Sequence, residues 1–316
     1  MLAPLLELVA SKAAQGAPPS PPEWQYSGFK GLDKTLSTLI RFFLQSFEGG
    51  RFVLMPEFIA SVGPAAIAPI IEMRRSGYRF PTVFVSMLVL GYLYQTMGAG
   101  VILPFWWALH LLLAGHETVP MPADYSEATL VGYFVGFVAF SFAMVTYQTP
   151  GIIGIWQFFP AYVLIFQLLS LLSQRFLSRA MFGTSHQALQ AIYIFNIFSS
   201  VVTHAYTLIR VFKSASPLDS LKDIYLPGFS FASDSFTVLC QDFCKWDYIY
   251  IAAATLFSGL WLLRGTGTRL YALGVFVVSS LLLGGGAGFS LIWMIKENQQ
   301  AELHSKSELA KEEKQK

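Results

Sequence analysis

The sequence predicts an all-α fold, a polytopic transmembrane helical bundle of seven or eight spans. Three observations carry this. Hydrophobic residues make up 54% of the 316-residue chain. Charged residues make up 13%, where a soluble domain carries about 25%. The apolar residues fall in runs near the roughly 20 residues that a membrane helix needs. Lipid removes the need for the missing surface charge.

The chain divides into an N-terminal extension (1–33), a transmembrane helical domain (34–296) and a charged C-terminal tail (297–316). The first residues hold a short apolar stretch without the basic flank and apolar core of a signal peptide, so no cleavage is expected. Pro18 to Pro22 reads as an extended linker. Residues 35–48 are short, carry Arg41 and suit an amphipathic helix lying in the interface. Residues 52–73 form a span containing Pro56, Pro64 and Pro69.

Residues 81–114 are apolar for a length of roughly 50 Å as one helix, too long for one ordinary span. Gly98, Gly100 and Pro104 mark a break there, and two crossings are the preferred reading. Residues 126–147, 150–173, 187–211, 247–263 and 269–295 complete the set. Arg74, Arg75 and Arg79 mark one loop as cytosolic. With two crossings, Arg175, Arg179, Arg264 and Arg269 fall on that side, and the C-terminal lysines fall opposite. The loop 212–246 is the longest, and the tail from 297 reads as solvated, with a helical extension of the last span as one form.

Ionisable or polar groups in apolar spans are costly, so each is a candidate for function. Glu72 is a candidate proton donor, or a helix-end carboxylate paired with Arg74 or Arg75. Asp247 opens a span, either as a second acid or as a cap favoured by the helix dipole. Glu57 lies roughly 22 Å along the same helix from Glu72 and reads as an interfacial group. Gln95, Asn196 and His204 either bond neighbouring helices or touch a substrate, and His204 can exchange protons. Trp106 and Trp156 either pack at the interface or turn an aromatic face towards a cation.

Several chemistries lack their motifs. No HExxH, GxSxG, Walker loop or GxGxxG occurs. The five histidines do not cluster for a di-iron site, and no DDxxD-type cluster could hold Mg²⁺-pyrophosphate. No metal or cofactor is expected. A net charge of +2 offers nothing to nucleic acid. Cys240 and Cys244 suit either a pair or two buried thiols.

Four segments in order carry a resemblance: IIEMRRSGYRFP, YLYQTMGAGVILPFWWALHLL, WQFFPAYVLIFQ and CKWDYIYIAAATLFSGLW. Together, over roughly residues 50–263, they resemble the membrane-bound terpene cyclases of fungal secondary metabolism, the ascofuranone-type meroterpenoid cyclases. The chain departs from the pattern at Met73, where the family has Gly, and at Phe105-Trp106, where Leu-Tyr is usual.

The resemblance implies non-oxidative cyclisation of an epoxidised farnesyl or geranylgeranyl chain on an aromatic or polyketide core. An acid opens the epoxide, and Glu72 and Asp247 match the family's two acids. It implies a lipophilic prenylated substrate, functional coupling to a prenyltransferase and an epoxidase, and residence in the endoplasmic reticulum membrane. The two acids are then expected to face one aromatic chamber. Phe-rich, charge-poor composition suits carbocation chemistry, which needs a dry pocket. Composition alone also fits a small-molecule transporter, a receptor-like membrane protein or a scaffold for other enzymes. A transporter more often shows repeated halves, and none is visible.

Overall fold

The computed structural model describes residues 27–48, 53–113, 121–177, 184–228 and 235–315. Most of the N-terminal extension, with its proline-rich linker, lies outside them, as do Arg179 and part of the long loop.

The described residues form helices. They are α1 (Lys30–Phe47), α2 (Leu54–Arg75), α3 (Phe80–Met97), α4 (Ala99–Leu113), α5 (Ala123–Tyr147), α6 (Pro150–Trp156) and α7 (Phe159–Leu177). There follow α8 (Ser185–Phe212), α9 (Pro217–Tyr225), α10 (Phe236–Leu262), α11 (Thr266–Leu283) and α12 (Gly285–Gln315). Five are long and apolar enough to cross a membrane: α2, α5, α7, α8 and α11. Large apolar side chains such as Phe105, Leu112, Phe142, Phe198, Leu270 and Leu281 point outward. That much exposed apolar surface suits lipid, not water.

Helix α2 is buried almost all round and forms the axis of the bundle. The other helices can be placed by which of its ends they meet. At its start, Glu57 meets His204 of α8. At its end, Glu72 meets Lys296 of α12. These two ends define a first and a second face of the molecule.

Both long apolar runs reverse at a glycine. Gly98 (φ +94°) separates α3 from α4, and Gly284 (φ +90°) separates α11 from α12. Such positive φ favours a residue without a Cβ. Helix α4 starts beside Asp247 at the first face. It ends near the second, where Trp107 stacks on Trp293. It therefore runs back along α3, as the break in 81–114 predicts.

The second reversal is a correction to the expectation of one element over 269–295. Helix α11 reaches the first face, where the Leu281 carbonyl meets His204. Helix α12 then returns to the second face at Lys296. The C-terminal extension consequently leaves from the face that carries Arg75 and Arg264, not from the opposite one. It continues as helix to Gln315.

Helix α1 has the expected amphipathic form. Leu36, Ile40, Phe43 and Phe47 are its buried face, a spacing that aligns them along one stripe. Phe42 packs edge-on against Phe243 of α10, and Phe43 against Trp156 of α6. In α5, a π-helical turn over Gly132–Val138 re-aims Tyr133 and Phe137 inward.

Candidate functional site: an aromatic cavity with one carboxylate

Between α1, α2, α3, α6 and α10 lies a cavity enclosing about 870 Å³ of empty space, its open mouth included. Seven aromatic residues line it: Phe42, Phe43, Phe58, Tyr94, Trp156, Phe159 and Phe243. The rings brace one another. Trp156 lies against both Phe43 and Phe159, with centroids 5.1 and 5.0 Å away. Its Nε1 donates to Ser141 Oγ at 2.9 Å, so its one polar atom is satisfied in the protein.

Among the described residues, Asp247 is the one acidic residue in this wall. It is 9% exposed. Its Oδ1 accepts the Gly100 backbone N–H at 2.6 Å. That amide belongs to the first turn of α4, where backbone donors lack helical partners and the dipole favours an anion. Close approach depends on the glycines. A Cβ on Gly100 would stand 2.7 Å from the Asp247 carbonyl oxygen and 2.9 Å from Oδ1. A Cβ on Gly98 would stand 2.9 Å from both Oδ1 and Phe243. Among the described residues, no lysine, arginine or histidine forms an ion pair with Asp247.

Glu72 is placed differently. It is buried at the second face and does not line the cavity. Lys296 Nζ donates to its Oε1, and Arg75 Nη1 stands 3.5 Å from the same atom. Arg75 in turn donates to Glu297 and Gln300. A carboxylate held between two cations is set up as an anion, which is the wrong form for a proton donor. The structure therefore does not bring Glu72 and Asp247 into one chamber. The physical reason is that α2 carries Glu72 to the far end of the bundle, where α12 supplies a lysine.

Of the other predicted residues, Gln95 and Trp156 line the cavity. Gln95 Nε2 donates to the Gln157 carbonyl at 3.3 Å. Trp106 does not line it; its ring stacks on His110, with centroids 4.8 Å apart. Asn196 is buried and accepts from the Tyr133 hydroxyl. His204 is also elsewhere. Its Nδ1 lies 2.9 Å from Glu57 Oε1, its Nε2 lies 3.2 Å from the Leu281 carbonyl, and Tyr225 donates to Glu57 Oε2 at 2.7 Å. Glu57 is buried and ties α2 to α8 and α9.

Phe42 and Phe43 of α1 and Phe243 of α10 are wall residues that sequence reasoning missed. The paired phenylalanines on the apolar stripe of an amphipathic helix were the available signal. Cys240 and Cys244 are both free and buried, and Cys244 reaches the cavity. No group of three His, Cys, Asp or Glu among the described residues could hold a metal ion.

The family model described as the CtvD domain matches residues 2–297. The chain is also similar to the terpene cyclase ascI of Acremonium egyptiacum, 26% identical over 302 residues, covering 85% of this chain and 78% of that protein. No solved structure matches significantly. The chain thus belongs to the CtvD domain family, within the fungal membrane-bound terpene cyclases that its motifs resemble.

Proposed function

We propose that this protein is a membrane-bound cyclase in which Asp247 protonates an epoxidised, farnesyl-type chain on a meroterpenoid precursor. The observation that carries the reading is a single carboxyl group, among the described residues, in a wall of seven aromatic rings and aliphatic side chains whose other polar members are the neutral Thr38, Gln95 and Thr96. The Asp247 proton passes to the epoxide oxygen, and the C–O bond at the more substituted carbon breaks. The adjacent olefin attacks that carbon, forming a C–C bond and moving the positive charge along the chain. The last cation loses a proton to the Asp247 carboxylate or to solvent, which ends the sequence and lets Asp247 regain its acid form. The product is an isomer of the substrate carrying a new hydroxyl, so no oxidant or reductant is consumed.

Each wall feature suits a step. The Gly100 amide stabilises the aspartate left after proton transfer, a charge that develops only as the reaction proceeds. Aromatic faces stabilise a passing cation by about 0.5–2 kcal/mol each. A dry wall keeps water from quenching it. Glu72 on this reading is a structural anion, and the family's two-acid scheme reduces here to one donor.

The substrate class implies a prenyltransferase and an epoxidase acting earlier, and such lipophilic substrates place the enzyme in the endoplasmic reticulum membrane. The alternation of helix directions supports nine crossings, one more than the higher of the two expected counts, by adding α3, α4, α10 and the first part of α12 to the five long spans. The test is conversion of an epoxyfarnesyl aromatic substrate by microsomes containing the protein. The expected product has the substrate's mass and a new ring; no consumption of any such substrate contradicts the reading.

A further inference from the structure

The mouth of the cavity can be placed by which of its wall residues are reached from outside. Trp156, Phe159, Cys244 and Asp247 are buried. Thr38 is exposed, and Leu39, Gln95 and Thr96 are half-buried. The mouth therefore lies between the middle of α1 and the end of α3. Beside it on α3, Tyr92 and Met97 point outward, so the opening is flanked by lipid-facing surface near the first face.

Helix α1 is held unevenly along its length. Its last turns are tied to α10. Thr237 Oγ1 donates to Gln45 Oε1, Gln241 Nε2 donates to the Glu48 carbonyl at 2.9 Å, and Ser46 Oγ lies 3.7 Å from Cys244 Sγ. Phe43 and Phe47 are buried at this end. At the other end, no side chain from Phe29 to Thr35 is buried. Phe29 is 74% exposed, and Lys30, Leu32 and Lys34 are exposed with it. A segment with few buried contacts opens at small cost. Two apolar side chains interleaved with two lysines suit the boundary between acyl chains and anionic head groups.

We propose that the first half of α1 is a gate whose free end rests in the bilayer interface. The helix swings on its α10 anchor and passes lipophilic molecules between lipid and cavity through the gap beside α3. The motion needs no cyclase chemistry; only the identity of the passing molecule rests on the cyclase reading.

Two measurements test it. Spin labels are placed on Lys34→Cys and Ser76→Cys, with Cys240 and Cys244 replaced by alanine, in nanodiscs containing anionic lipid. Pulsed dipolar spectroscopy should give two separated distances. The pair Glu48→Cys and Ser76→Cys, at the anchored end, should give one. A farnesyl phenol without an epoxide should move the first pair towards one of its two distances and leave the second pair unchanged. A single distance for the first pair, or two that the compound does not redistribute, overturns the gate. In the same background, Thr38→Cys and Thr96→Cys are joined across the mouth by a reducible bis-methanethiosulfonate reagent in microsomes. The joined protein should convert an epoxyfarnesyl substrate about tenfold or more slowly than the same protein after reduction, since a lid that cannot open sets the rate. Equal rates overturn the gate. If the compound redistributes the distances but the reduced protein converts no epoxide, the cyclase reading falls and the gate stands.

Discussion

Asp247 Oδ1 accepts a hydrogen bond from the Gly100 amide at 2.6 Å, across 147 residues of sequence. The contact joins the carboxyl group of the aromatic cavity to the first turn of a helix, and only a residue without a side chain fits there. Gly100→Ala puts a methyl group 2.7 Å from the Asp247 carbonyl oxygen, so α4 and α10 must separate. Misplacing a reacting group by about 1 Å costs on the order of 10²-fold in rate. The variant should show that loss in kcat, with overpacking destabilising it by only about 1–3 kcal/mol. Unchanged kcat would detach the glycine from the chemistry.

Glu72 and Lys296 supply a contrasting prediction. Breaking a buried ion pair by removing one partner costs about 3–5 kcal/mol, because the other charge is stranded. Glu72→Gln should therefore lower the thermal midpoint in detergent markedly. Glu72→Gln combined with Lys296→Met should recover most of it, since neutralising both partners avoids the stranded charge. A normal midpoint for the single variant would remove the structural role assigned here.

Trp156 should be felt in rate more than in fold. Trp156→Leu keeps an apolar filling but loses the aromatic face. If that face stabilises the cation by about 0.5–2 kcal/mol, turnover falls between about twofold and thirtyfold, and Trp156→Phe retains part of it. Parallel product analysis checks the assignment. Identical rates for the leucine and tryptophan enzymes would mean that the ring only fills space.

The second reversal, at Gly284, predicts membrane sidedness. The loop holding Ser76 and the C-terminal extension should react with the same membrane-impermeant reagent. The check is single cysteines at Ser76 and Ser305, introduced with Cys240 and Cys244 replaced and probed in sealed microsomes. Labelling from opposite sides would contradict the hairpin of α11 and α12.

Much of the fold was legible because lipid writes long apolar runs into a sequence. The amphipathic stripe of α1 and the break near Gly98 could be read directly. The break at Gly284 was missed although glycines at 284, 285, 286 and 288 are a turn signal, because the run 269–295, unlike 81–114, is short enough for one tilted span. At the site, Asp247, Gln95 and Trp156 were found because polar or aromatic groups in apolar segments are conspicuous. Glu72 was conspicuous for the same reason, but its partner Lys296 lies 224 residues away. Nothing local distinguishes a donor from an ion-paired carboxylate. The same holds for Glu57, whose partners His204 and Tyr225 arrive from α8 and α9.

The central claim is that one acid starts the reaction, and Asp247→Asn tests it most directly. The amide side chain keeps the size and can still accept from Gly100, but it has no carboxylic proton to give. Conversion of the epoxyfarnesyl substrate should fall by about 10²–10⁴-fold, the usual contribution of a positioned acid, at unchanged protein level. Glu72→Gln/Lys296→Met should retain conversion within a small factor. Full turnover by Asp247→Asn, or its loss only in the Glu72 variant, would contradict the account.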